Sequence, residues 1–253
     1  MTSRLVELCI EANDALGLAR FWADALGWDI DDGSPGEIDL APTDGTRFRI
    51  AFLPTPDPKV GANRLHLDLT TTSADDQAET VRRLVGRGAR HLDIGQRPDE
   101  GHVVLADPEG NELCIIEPGN NFLAGCGRLG SITCDGTRQV GYFWSAALGW
   151  PLVWDQDEET AIRAPDLTGP LITWGGPPVA AKHGRNRLHL DIAPPDGGDP
   201  RAEIDRLVAL GATRPDGGDV GSGEHGGRGG RGDAGRVAMV DPDGNEFCLL
   251  MPR

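Results

Sequence analysis

One hexapeptide occurs twice in this chain, as Asn63-Arg64-Leu65-His66-Leu67-Asp68 and as Asn186-Arg187-Leu188-His189-Leu190-Asp191, 123 positions apart in 253 residues. Six identical residues in a row at that separation mean an internal duplication, so both halves must build the same elements. In an extended strand alternate residues share a face. His66 and Asp68 therefore point one way and the flanking leucines the other; His189, Asp191 and their leucines do the same. Such a strand is expected to pack its apolar side under helices and to line a polar site with its acid–imidazole side, once in each half.

Other segments repeat around it. Phe21-Trp22-Ala23-Asp24-Ala25-Leu26-Gly27-Trp28 returns as Phe143-Trp144-Ser145-Ala146-Ala147-Leu148-Gly149-Trp150, shifted by 122. The turn Asp107-Pro108-Glu109-Gly110-Asn111-Glu112 returns from Asp241 with a shift of 134. About eleven residues are therefore inserted before the second turn, in the Gly-rich tract 216–235, which is expected to be a surface loop. The spacing predicts a strand over Arg4–Ala12 and a helix over Ala15–Leu26, where Leu18, Trp22 and Leu26 recur four apart. Asn13 and Asp14 can cap that helix, and Gly27 can end it. Weak strands follow near Trp28–Ile30, Glu37–Leu40 and Arg47–Leu53. The next unit predicts a strand over Asn63–Thr70, a helix from Ser73 to Leu84, and strands over Arg90–Ile94, His102–Ala106 and Glu112–Glu117. A β-α-β-β-β order thus appears twice per half, giving an α+β chain of four units. The halves are read as domains over 1–118 and 129–253, joined by a Gly- and Asn-rich linker over 119–128.

Net charge is −16 and no Lys or Arg cluster occurs, which argues against nucleic-acid and anionic-membrane partners. No apolar run is long enough for a membrane span, and the first residues lack a signal core. Five cysteines are an odd number and read as buried thiols of a cytoplasmic protein rather than as a disulfide framework. The partner expected is a small molecule. The chain is expected to be a monomer, itself a pseudo-dimer of two domains, or a homodimer.

Three motifs in order, twice over (Phe-Trp-x-x-x-Leu-Gly-Trp, Asn-Arg-x-His-Leu-Asp and Asp-Pro-x-Gly-Asn-Glu-x-Cys), resemble the glyoxalase/bleomycin-resistance/extradiol dioxygenase group, the vicinal oxygen chelate superfamily, and within it the glyoxalase-like branch. The resemblance implies two tandem domains whose mixed sheets curl around a cavity. It implies isomerase- or lyase-type acid–base chemistry on a carbonyl or aromatic metabolite, or else sequestration of a drug or metabolite, as in antibiotic resistance. Metal-using members take ligands from the first, fourth, fifth and last strands. Those places fall on Glu7, His66 and Cys114 in one half; in the other they fall on Leu129 or Ser131, then His189 and Cys248. The fourth-strand segments offer no acid or histidine. The set is incomplete for an octahedral or facial-triad site, so no metal and no cofactor are expected.

The candidate catalytic residues are His66, Asp68, His189 and Asp191, in which the acid would fix the imidazole tautomer and raise its basicity. Candidate substrate-binding residues are Glu7, Glu112, Cys114, Trp174, Glu246 and Cys248, with Trp154 as a further pocket aromatic. Each has a bland alternative: a sheet histidine held by its neighbour, a glutamate closing the Asp-Pro turn, a thiol filling the core. Arg64 and Arg187 read as salt-bridged or capping. His66 is expected to matter more than His189, because Glu7 belongs to its half. Gly221-Ser222-Gly223-Glu224-His225-Gly226 lacks the strand and helix that a dinucleotide fingerprint needs, and Arg231-Gly232-Asp233 reads as chance.

Overall fold

The computed structural model describes residues 2–31, 38–97, 99–215 and 235–251. The Gly-rich tract, with its two short motifs, lies outside the described residues except for Gly235.

The first unit runs β1 (Arg4–Ala12), α1 (Ala15–Leu26), β2 (Asp29–Asp31), β3 (Ile38–Ala41) and β4 (Arg49–Pro54). The second has β5 (Leu65–Leu69), α2 (Ala74–Gly86), β6 (Arg90–His91), β7 (Val103–Ala106) and β8 (Glu112–Ile115). The third has β9 (Leu129–Cys134), α3 (Arg138–Leu148), β10 (Leu152–Gln156), β11 (Glu159–Ile162) and β12 (Leu171–Trp174). The fourth has β13 (Leu188–Ala193), α4 (Pro200–Ala209), β14 (Arg236–Val240) and β15 (Glu246–Leu250). The expected β-α-β-β-β order is present in the first three units, with boundaries moved by a few residues; in the fourth, the described residues show two strands after the helix, and Thr213 makes only an isolated bridge to Val240.

Local chemistry explains the helix ends. The Asp14 carboxylate accepts from the Gly17 amide, and Gly27 ends α1 in the left-handed region at φ 72°. A side chain is strained at that φ, and glycine is not. Ser73 and Asp199 cap α2 and α4 in the same way, with Pro200 in the first turn of α4.

The sheets do not follow the two halves of the chain. A seven-stranded sheet has the order β14-β15-β13-β1-β4-β3-β2 and an eight-stranded one β10-β11-β12-β9-β5-β8-β7-β6. Unit one thus shares a sheet with unit four, through antiparallel β1 and β13, and unit two with unit three, through antiparallel β5 and β9. Alternation gives each sheet an apolar face. Leu8, Ile10, Ile50, Phe52, Leu190 and Phe247 are buried on one, Leu67, Leu69, Ile132 and Ile172 on the other, and all belong to one continuous core with the helices.

The repeated motifs lock the two sheets together. Trp22 of α1 donates its indole N–H to Asp107, in the turn between β7 and β8, at 3.1 Å. Trp144 of α3 donates to Asp241, between β14 and β15, at 3.2 Å. The same carboxylates accept from the backbone of Asn111 and Asn245, closing the turns. Gly110 and Gly244 allow this with φ of 90° and 86°. The Phe-Trp and Asp-Pro-x-Gly-Asn motifs are therefore two ends of one buried contact.

Candidate active site

The polar face of the seven-stranded sheet is filled with charge. Register places Glu7 opposite both Asp191 and Arg49, and Cys9 opposite both His189 and Ala51. Cys248 lies opposite Asp191, and Asp39 opposite Ala51. Glu7, fully buried, accepts from Arg49 Nε at 2.9 Å and from Arg236 at 2.5 Å. Arg49 also reaches Asp39 at 3.2 Å, and Arg236 reaches Asp191 at 3.1 Å. His189 Nε2 lies 3.2 Å from Asp191 Oδ1, with the imidazole only 2% exposed. Three acids thus meet two guanidinium groups and an imidazole. Burial opposes charge on His189, but the adjacent Asp191 outweighs it and holds the imidazole pKa well above its ordinary value. Burial pushes the Cys9 thiol up to about 12. A thiol that stays protonated lends His189 no charge, so Asp191 is what holds the imidazolium.

The eight-stranded sheet places the equivalent residues, and they are neutral. Ser131 stands opposite Asp68, as Glu7 stands opposite Asp191, and Thr133 stands opposite His66, as Cys9 does opposite His189. The first-strand position left open between Leu129 and Ser131 is therefore Ser131. Leu171 takes the place of Arg49, and Thr173 that of Ala51. Asp68 Oδ2 accepts from Ser131 Oγ and from Thr133 Oγ1, each at 2.6 Å, and Thr173 Oγ1 donates to Thr133 at 3.1 Å. Asp68 Oδ1 lies 3.4 Å from His66 Nε2, whose side chain is 32% exposed. Burial of the ring disfavours its charged form. Asp68, and more distantly Glu112, outweigh this and raise the His66 pKa above 6.5. Burial likewise works against the Asp68 carboxylate, but His66, Ser131 and Thr133 overcome it and lower its pKa.

Read across the strands, one row of this face is His66, Thr133, Thr173, Ala161 and Trp154. At ~4.8 Å per strand the row spans roughly 19 Å. Its middle is a floor of small side chains, with an imidazole at one end and an indole at the other. Leu123, from the segment joining the halves, packs on Ala161 and Leu171 beside Trp154, and Phe122 meets the Trp154 ring edge-on at 5.6 Å.

The expected site residues are thus brought together in a different partition. Glu7 joins His189, Asp191 and Cys248, whereas His66 and Asp68 join Cys114, which stands opposite Asp68. The expectation that Glu7 faces His66 is corrected: β1 pairs with β13 and β4, not with β5. Trp174 is corrected too. It alternates to the apolar face of β12 and is 1% exposed in the core, while Trp154 takes the polar face. Glu112 binds Lys59 and the Asn63 amide, and Glu246 binds Lys182 and the Asn186 amide, so each holds the start of a hexapeptide strand. Sequence reasoning missed Ser131, Thr133 and Thr173 as Asp68's supports and Arg49 and Arg236 as Glu7's. Only the cross-pairing of units brings them into range.

A metal of the kind the superfamily uses does not fit these residues. Glu7 is held by two arginines, and the residue facing it on the fourth strand is itself Arg49. The other sheet has Ser131 and Leu171 at those places. Each sheet does bring three donors within 4.8 Å of one another (Cys9, His189 and Asp191, or His66, Asp68 and Cys114). Burial and the neighbouring acids raise the Cys9 and Cys114 thiols, which opposes the thiolate a metal needs.

A family model described as Glyoxalase-like domain matches residues 7–116 and again 131–250. The chain belongs to the glyoxalase-like domain family. It is a tandem member of the vicinal oxygen chelate superfamily. Glyoxalase I from Zea mays shares the fold, with a TM-score of 0.62 at 14% identity over 99% of this chain and 92% of that one. A Bacillus subtilis subsp. subtilis str. 168 protein proposed to be a dioxygenase gives 0.58 at 15% identity, over 99% of this chain and 85% of that one. At such identities the likeness of this glyoxalase-like chain to either is one of fold. No sequence among the curated proteins matches it.

Proposed function

We propose that this glyoxalase-like protein is a small-molecule enzyme of the isomerase or lyase type, whose working site is the polar face of the eight-stranded sheet. The observation that carries the reading is the supported pair His66–Asp68. A half-buried but reachable imidazole sits beside a carboxylate that two hydroxyls fix in place. Asp68 faces Nε2, which leaves the other ring nitrogen to take a proton from carbon next to a carbonyl. The Thr133–Thr173 floor bears no formal charge, and the wall beyond it is Leu123, Leu171 and Trp154. These surfaces suit a neutral carbonyl compound or an aromatic one. The chemistry is assigned to the side chains alone, without a metal.

The charged sheet serves structure in this reading. Its His189 is shut from solvent, and its carboxylates are already matched by Arg49 and Arg236.

A sequestering protein is the second reading, favoured by the Phe122–Trp154 pair, which could grip a flat ligand without reaction. The test is turnover of a panel of 2-oxoaldehydes and aryl ketones by the wild type and by His66→Ala. A loss on the order of 10²–10⁴ in rate at unchanged melting midpoint supports the enzyme. Tight ligand binding without turnover, unaffected by His66→Ala, supports sequestration.

A further inference from the structure

A further cavity among the described residues lies on neither polar face alone. It is a cleft of about 870 Å³ between segment 53–64 and segment 180–188, the equivalent connections of the two halves. Its lining is cationic in a protein of net charge −16: Lys59, Arg64, Arg185, Arg187 and Arg236 face two carboxylates.

The two hexapeptide arginines show where charge is left over. Arg187 is 7% exposed and pairs with Glu109 while donating to the Asp57 carbonyl and to Asn13. Glu109 does two tasks, since its oxygens also accept from the amides of Asn13 and Asp14 at the start of α1. The matching turn in the other half has Asp243 at that position, one methylene shorter. The Asp243 carboxylate takes the amide and hydroxyl of Thr137 at the start of α3 and goes no further. Among the described residues Arg64 therefore binds only neutral oxygens: the carbonyls of Asp243 and Ala180 and the side-chain amide of Asn245. Its Nε, like that of Arg187, is buried without a hydrogen-bond partner. Among the described residues, one guanidinium in the cleft thus lacks the carboxylate that its twin has. Arg185 stands on the same wall, more than half exposed, with one contact to Glu11 at 3.1 Å.

We propose that this cleft is a second ligand site, separate from the His66 face, and that it binds a small organic polyanion through Arg64 and Arg185. An arginine fork matches a carboxylate or a phosphate equally well, so the shared chemistry is an anionic oxygen headgroup. The volume is several times what a lone inorganic ion fills, since a single water occupies ~30 Å³; a metabolite-sized anion suits it.

Calorimetric titration of the full chain with citrate and with inorganic pyrophosphate, using glycerol as a neutral control, tests the proposal. The expected result is one anion per chain with Kd below about 1 mM, weakening as NaCl is raised. Citrate alone binding names a carboxylate ligand, pyrophosphate alone a phosphate ligand, and both a site that recognises charge. Arg64→Gln is expected to weaken binding about tenfold or more, and Arg64→Lys less. If Arg64→Gln does not fold, Arg185→Glu at the exposed rim decides, with the same expected loss. Binding of neither anion, or binding untouched by these variants, overturns the proposal. Loss of anion binding in His66→Ala also overturns it, because the anion would then sit on the eight-stranded sheet.

Discussion

His66 and Thr133 face each other across neighbouring antiparallel strands that come from opposite halves of the chain. Thr133, with Ser131, holds the carboxylate that tunes His66. The proposed base and the acid that sets its basicity therefore come from one copy of the repeat, and the hydroxyls that hold the acid come from the other.

Asp68 is expected to control the titration of His66. Asp68→Asn removes the charge and the hydrogen bond that raise the imidazole pKa, leaving burial to lower it. The His66 ring resonances, followed by NMR against pH, should titrate above 6.5 in the wild type and below it in the variant. If His66 acts as a base, the alkaline rise of its rate should move down with it. A midpoint unchanged by Asp68→Asn would sink the assigned role.

The charged sheet should answer mutation with stability. Glu7 is buried between Arg49 and Arg236, so Glu7→Gln leaves two guanidinium groups short of a counter-charge. Breaking a buried pair in this way costs about 3–5 kcal/mol. Chemical denaturation should show that loss, while turnover per folded molecule stays at the wild-type level. Loss of turnover with stability intact would move the working site to this sheet.

The acid–imidazole pairs also predict a pH window for stability. Asp68 and Asp191 have lowered pKa values, so their contribution is full above the unfolded value of 3.8 and fades as pH falls through the folded one. His66 and His189 have raised values, so theirs is full below 6.5 and fades as pH rises through the folded one. Both are complete between about pH 4 and 6.5. Melting midpoints should peak there and fall toward neutral pH. Replacing both histidines by Gln should flatten the alkaline side of that peak.

Two tryptophans should separate core from site. Trp174→Ala empties a buried position and should cost about 3–5 kcal/mol. Trp154→Ala should lower the melting midpoint much less and weaken an aromatic ligand. The reverse ranking in paired thermal and binding measurements would count against placing Trp154 at the working face and Trp174 in the core.

The duplicated motifs made the elements legible. Hydrophobic period, capping residues and the left-handed glycine after α1 placed most of them within a few residues, because those signals act over one turn of chain. The partners of each element were hidden. A strand's alternation says which residues share its face, yet says nothing of which strand lies beside it. The linear order put Glu7 with His66, whereas backbone pairing put Glu7 with His189. Trp174 misled in a smaller way: its counterpart on the polar face, Trp154, is on another strand, and only the register of β12 shows which aromatic points where.

Because every sheet takes strands from both copies, the two polar faces are built from complementary selections of the repeated positions. Glu7 and Ser131 hold equivalent positions in different sheets, so either can change without altering the other face. Two identical chains meeting as a dimer have no such freedom, since any change would appear on both faces at once. Joining the copies end to end is what lets a single molecule hold two unlike polar faces in fixed one-to-one proportion.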